Sequence, residues 1–326
     1  DLALFLEADR MRSLDISKMN LDNQINAVQE ERRLRVDNQP YGKTFEKLDE
    51  LAYDNPAYEH SVIGSMADLS AASVDDVATF FKTYYAPNNA VIAIVGDVDT
   101  KTTLAKIEKY FGPISKQPPP PKVDMTEPAQ KEERRQTLED ALARLPRIDM
   151  AYKIPPSSSP DDDALQVLGT ILSGGRSSRF YESIVRQKQL ATSINAGPDM
   201  TRGPGLFNVV AIAAPGKTLA DLESAIDAEI ARLQNEPVAD WELEKARTSA
   251  RRGFVSSLGS SLQKAVLLSQ NALFYDNPNR INETAANIAK ITAADVQRVA
   301  KTYLVKTGRT VVLTTPKAAP ATKGGL

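Results

Sequence analysis

A chain that repeats itself has to build two units of one kind, and this chain repeats itself at a spacing of 219 residues. SVDDVATFFKTYY (residues 73–85) returns as TAADVQRVAKTYL (292–304). Asp76, Val77, Lys82, Thr83 and Tyr84 are matched by Asp295, Val296, Lys301, Thr302 and Tyr303. LAYDNP (51–56) returns as LFYDNP (273–278), and a run of branched residues follows both long copies. The pattern predicts a doubled α/β unit of roughly 220 residues per copy. If the second copy opens near Lys131, the first opens about 90 residues before Asp1. Most sheet strands of the first copy, and at least one helix, are then expected in preceding chain.

The bulk composition excludes several chemistries. The 326 residues contain no cysteine and one histidine, His60. Disulfides, thiolate zinc sites and cysteine nucleophiles are therefore ruled out, and with a single histidine a Ser-His triad or a histidine-based metal site within these residues is nearly excluded. Charge is balanced at −2 with both signs interspersed, which gives no footprint for nucleic acid. No apolar run is long enough to cross a membrane.

Read in order, the chain predicts helices over residues 1–14, 21–37, 45–53, 74–85 and 100–111, with a buried strand AVIAIVG at 90–96. Residues 57–70 read as loop, and Ser73 with Asp76 forms a capping box. QPPPP (117–121) is a stiff extended linker. Beyond it, strands are expected at 130–138, 147–154, 190–196, 205–213 and 310–314. Helices are expected at 164–172, 178–188, 219–233, 241–257, 262–273, 281–289 and 293–303.

The candidate site lies on LDNQINAVQEERRLRVDNQPYG (21–42). Leu21, Ile25 and Val28 share one apolar helix face, Glu30 points away from it, and Glu31 sits at its edge beside Gln24. A carboxylate there needs a partner. The ordinary one is an arginine, Arg32 or Arg35; the alternative is a metal ion. The repeat bears on the choice, because the offset sets Ala250 opposite Glu31. A carboxylate present in one copy and missing from the other points to a task performed once. His60, in YEHSVIG, reads as a hydrogen-bonding loop histidine, Glu30 as solvated, and Gly174-Gly175 as a tight turn between helices, with no Lys-Ser/Thr signature of a phosphate loop after it.

Three segments carry a family resemblance: VQEERRLRVDNQPYG, HSVIGSMADLSAASVDDVATFFKTYYAPNNAVIAIVGDVD, and LSGGRSSRFYESIVRQKQLATSINAG. Together they closely resemble the insulinase/pitrilysin zinc metallopeptidases, in the subgroup of the mitochondrial processing peptidase and its bacterial relatives. The resemblance implies two homologous domains and a zinc ion held by two histidines of an inverted His-x-x-Glu-His motif plus a later glutamate. Glu31 matches that glutamate. The histidines and the general base are implied roughly 75 residues upstream of it, so no catalytic residue is assigned within residues 1–326. Two imidazoles and one carboxylate leave zinc an open position for an acidified water and a polarised carbonyl.

The family also places an arginine and a tyrosine in its second domain for substrate binding. Arg186 matches the arginine, while Thr192 stands where the tyrosine belongs. The pattern is that of the zinc-bearing half of a pair, with a homologous companion subunit (hetero- or homodimer) and peptide or unfolded segments as substrate in a chamber between the two. The alternative class is an inactive scaffold, assembly or regulatory subunit of the same fold. The family compartment is bacterial periplasm or cytoplasm, with periplasm the one favoured by resemblance. The expected class is α+β in layers, with two homologous domains, each a mostly antiparallel sheet packed with helices. The expected boundaries are 1–116 for the incomplete first domain, 117–130 for the linker, 131–316 for the second domain and 317–326 for a flexible tail.

Overall fold

The computed structural model describes residues 1–317; apart from Lys317, the expected tail lies outside the described residues. The chain is α+β. In chain order it runs α1 (Leu2–Ser13), α2 (Lys18–Arg32), α3 (Gly42–Ala52), α4 (Met66–Ala71), α5 (Val74–Tyr84) and α6 (Thr100–Phe111). The strands β1 (Arg134–Asp140) and β2 (Arg147–Ile154) follow, then α7 (Asp162–Ser173), β3 (Ala191–Asp199) and β4 (Gly205–Ala213). The last elements are α8 (Leu219–Asn235), α9 (Asp240–Ser257), α10 (Ser261–Tyr275), α11 (Arg280–Lys290), α12 (Ala293–Tyr303) and β5 (Arg309–Pro316).

These elements form two compact units, neither contiguous in sequence. The first contains Asp1–Arg33, Val62–Asp124 and Ser257–Ile281; the second contains Leu34–Ser61, Met125–Ser256 and the chain from Asn282 onward. Helix α3, written in the first repeat, thus belongs to the second unit. Helix α10, its LFYDNP counterpart, belongs to the first.

The second unit is built on one sheet of order β1-β5-β2-β4-β3, antiparallel except for the parallel β1–β5 pair. Its central strand β2 is buried on both faces, as its unbroken RIDMAYKI run requires. Ile148, Met150 and Tyr152 face a large core with Leu165 and Leu168 of α7, Leu222 and Ile226 of α8 and Val296 and Val299 of α12. Ala151 faces the other way, where Leu48, Ala52 and Tyr53 of α3 pack on it together with Leu206 and Val312. Alternation along β2 therefore directs one residue set at each helix layer.

In the first unit α1 and α6 pack through Phe5 and Tyr110, with Asp1 ion-paired to Lys106. The proline-rich stretch is extended and pinned where Asn88 and Gln117 exchange two hydrogen bonds of 2.9 and 3.1 Å. Two expectations fail here. Residues 90–96 do not form a buried strand: they pair with no strand among the described residues, and Val91, Ile92 and Ile94 are exposed. Residues 57–70 are not all loop, because Ser65 caps α4 by accepting from the Asp68 amide.

The duplication holds at the level of elements. Helices α5 and α12 stand 219 residues apart at both ends, as do the 3₁₀ turns Pro87–Asn89 and Lys306–Gly308 that follow them. Each helix opens on a full capping box, Ser73 with Asp76 and Thr292 with Asp295.

Candidate functional site

Helix α2 starts at an N-cap, Ser17, whose hydroxyl accepts from the Asn20 amide. It ends where the backbone loosens into a π-helical turn, Arg33–Asp37, ahead of Asn38-Gln39-Pro40. Single π turns of this kind are frequent at functional sites. Two side chains fix this end. Gln29 donates to the Ser70 hydroxyl at 2.9 Å, and Arg32 donates to the Gly64 carbonyl at 2.6 Å.

Arg32 corrects the sequence reading. Leu21, Ile25 and Val28 are only half-buried, and the fully buried member of their stripe is Arg32. Its spacing of four from Val28 and seven from Ile25 carried that signal. Glu30 behaves as expected: it is exposed and ion-paired to Arg33 at 3.1 Å. Glu31 is half-buried in the last turn of α2, between the two anchoring residues in sequence.

The second repeat shows what that position does when it is structural. In α9, Leu243 and Ala246 are buried and Ala250 packs on the core of the second unit. The 219-residue offset sets Gln24, Ala27 and Glu31 opposite these three. One helix face is apolar and packed in the second copy; in the first it carries an amide and a carboxylate.

No group of three or more His, Cys, Asp or Glu capable of holding a metal ion occurs among the described residues. Glu31 by itself does not fit a zinc ion, so no chemical step is assigned to residues 1–317. His60 is exposed, and its Nδ1 lies 3.2 Å from the Ser61 carbonyl. Arg186 belongs to the second unit, on the π-helical segment Tyr181–Gln187, and is exposed and paired with Glu182 through its Nε at 2.6 Å. Thr192, two residues into β3, donates to the Ile212 carbonyl at 3.3 Å. Gly174-Gly175 ends α7 in a tight turn with Gly175 at φ +85°, a left-handed conformation that glycine adopts without strain.

Residues 71–250 match the family model described as the peptidase M16 inactive domain. The chain belongs to this family. Arg186 falls inside the matched segment and Glu31 before it. Among M16 relatives, the zinc protease PqqE of Helicobacter pylori is 27% identical over 318 residues, an overlap of 97% of this chain and 71% of that protein. The probable mitochondrial-processing peptidase subunit beta of Arabidopsis thaliana is 23% identical, over 93% of this chain and 58% of that protein. The crystal structure of a protease from Helicobacter pylori superposes with a TM-score of 0.91 at 27% identity, covering 97% of this chain and 76% of that one. The M16 chain thus has the fold and relatives of zinc proteases, in agreement with the resemblance read from its sequence. No helix among the described residues is long and apolar enough to cross a membrane.

Proposed function

We propose that this chain is part of an M16 zinc endopeptidase, in which Glu31 supplies a carboxylate ligand to a zinc ion whose histidine ligands and general base lie in preceding chain. The observation that carries the reading is the altered helix face. Where the second repeat packs Leu243 and Ala250 into its core, the first presents Gln24 and Glu31. The anchors at Gln29 and Arg32 hold that end of α2 in place, as a ligand-bearing helix requires.

On this reading residues 1–116 are the later part of the zinc-bearing domain and residues 131–316 its homologous companion. Peptides or unfolded segments are the substrate, bound in extended form along a sheet edge, where main-chain recognition tolerates varied sequence. Arg186 is the candidate substrate contact. The loss of the family's tyrosine at Thr192 supports a division of labour with a homologous companion subunit. A periplasmic location is the compartment proposed with it.

Zinc content of the whole gene-encoded protein, with and without Glu31→Gln, tests the reading. About one zinc per chain, falling sharply in the variant, is expected. No zinc in either protein overturns it and leaves a scaffold or regulatory subunit. Zinc unchanged by Glu31→Gln removes Glu31 from the ligand set.

A further inference from the structure

Helix α7 ends at the Gly174-Gly175 turn, and the segment beyond it, Tyr181–Gln187, is wound as a π-helix. The winding shows in the Lys188 amide, which donates to the Ser183 carbonyl five residues back at 3.0 Å. Both ends are fixed. Arg179, buried just ahead of the segment, donates through Nε and Nη2 to Glu242 of α9 at 2.8 Å each. Gln189, just behind it, stands at φ +52°, a left-handed conformation that such a residue keeps only where its surroundings hold it. Phe180 and Ile184 are fully buried in the core of the second unit. The segment is thus a rigid element, and its winding decides which of its side chains share a face.

In an α-helix, residues five apart diverge by about 140° around the axis. Bonds from i to i+5 widen the turn and bring such residues back to nearly one side. Tyr181 and Arg186 are five apart, and Phe180, Ser183 and Ile184 take up the opposite, buried side. The phenol and the guanidinium therefore stand together on the outward face. Tyr181 is half-buried, and its hydroxyl has no hydrogen-bond partner among the described residues. Arg186 is exposed, with Nε donating to Glu182 at 2.6 Å and Nη2 paired to the same carboxylate. Among the described residues nothing takes up its Nη1.

On the peptidase reading, on which this step rests, we infer that Tyr181 and Arg186 form a two-donor site for a main-chain carbonyl of a bound peptide. A phenol hydroxyl and a guanidinium Nη1 on one face can both donate to a single carbonyl oxygen. The Glu182 carboxylate decides the charge of the guest. It already neutralises the guanidinium, so a second carboxylate meets no net positive charge, whereas a neutral carbonyl meets two donors. Thr192 adds nothing to the pair, because its hydroxyl is given to the Ile212 carbonyl at 3.3 Å. The segment leads into β3, a strand at the margin of the second sheet, where an extended peptide finds main-chain groups to pair with.

Fluorescence anisotropy tests the pair on the whole gene-encoded protein, kept in chelator so that no peptide is cleaved. The probe is a fluorescein-labelled unfolded peptide with an amidated C-terminus and no acidic side chains. Tyr181→Phe keeps the ring and loses the hydroxyl, and should weaken binding about fivefold at an unchanged melting temperature. Arg186→Ala should weaken it at least as much. The double variant should lose less than the product of the two, since both groups donate to one oxygen. The same peptide with a free C-terminal carboxylate should bind no more tightly. Unaltered affinity in Tyr181→Phe overturns the proposal, as does a parent protein that fails to bind the probe. Losses that multiply in the double variant, or tighter binding of the free carboxylate, overturn it as well. Binding that depends on both residues in a protein found to hold no zinc would defeat the zinc reading and leave this site standing.

Discussion

Thr44 Oγ1 and Thr314 Oγ1 lie 2.8 Å apart, a fully buried hydroxyl pair joining a helix from the first repeat to the last strand of the second. Around it Leu48, Ala52 and Tyr53 of α3 close one face of the sheet over Ala151, Leu206 and Val312. The second unit therefore depends on a helix encoded some 90 residues before its first strand. Leu48→Ala is expected to destabilise it by about 2–5 kcal/mol, the range for a buried leucine. Urea unfolding followed through the amides of β2 and β5 checks this, and an unchanged midpoint would mean that α3 is dispensable.

A second test concerns Arg309, at the start of β5. It is 2% exposed and donates to Glu133 at 2.7 Å, Asp227 at 2.6 Å and Glu223 at 3.1 Å. Removing the cation leaves Glu133 and Glu223 to share Arg135, leaves Asp227 to the exposed Lys306, and empties the buried centre of the network. Arg309→Ala should cost about 3–5 kcal/mol, whereas Arg309→Met together with neutral partners at the three acids should cost much less. Thermal denaturation of the two variants separates the loss of packing from the stranding of charge.

Asp49 gives the chain a pH dependence. Burial, reinforced by the Asp199 and Glu46 carboxylates, pushes its carboxyl up to about 6. The folded protein thus keeps a proton that the unfolded chain has already released. The stability from this group is complete below the ordinary aspartate range and is lost as pH rises through about 6. Asp49→Asn should remove that fall between pH 4 and 6 and leave the variant more stable than the parent at pH 7. A variant that loses stability at pH 7 would contradict it.

Arg32 and Arg186 should respond in opposite ways. Arg32→Ala frees the buried end of α2, so amides from Gln29 to Asp37 should exchange faster. Arg186 is exposed, and its pairing with Glu182 should contribute no more than about 0.5 kcal/mol. Arg186→Ala should leave the melting temperature unchanged and, in the whole protein, raise KM for peptide hydrolysis. An unaltered KM would remove it from the substrate contacts.

Much of the architecture was legible from local pattern. The limits of β2, β4, α6 and α12 match the runs of branched residues and the capping signals, and the turn at Gly174-Gly175 lies where two helix patterns break. Glu30 was correctly read as solvated because helix geometry alone turns it away from the stripe. Arg32, a candidate partner of Glu31 by sequence, is buried because its spacing places it on the apolar stripe, although its charge favours the surface. The run at 90–96 was misread because a branched strand sequence looks the same with neighbours or without them.

The sequence by itself determined the repeat, its 219-residue spacing, the identity of nearly every element and the asymmetry between Glu31 and Ala250, since all of these are properties of residues near one another or of residues compared in pairs. Only the tertiary structure decided that α3 and α10 each join the unit of the other repeat, that Arg32 is the buried anchor, and that residues 91–95 lack a sheet among the described residues. Those outcomes turn on which distant surface covers an apolar face, and burial is a property of the partner as much as of the residue.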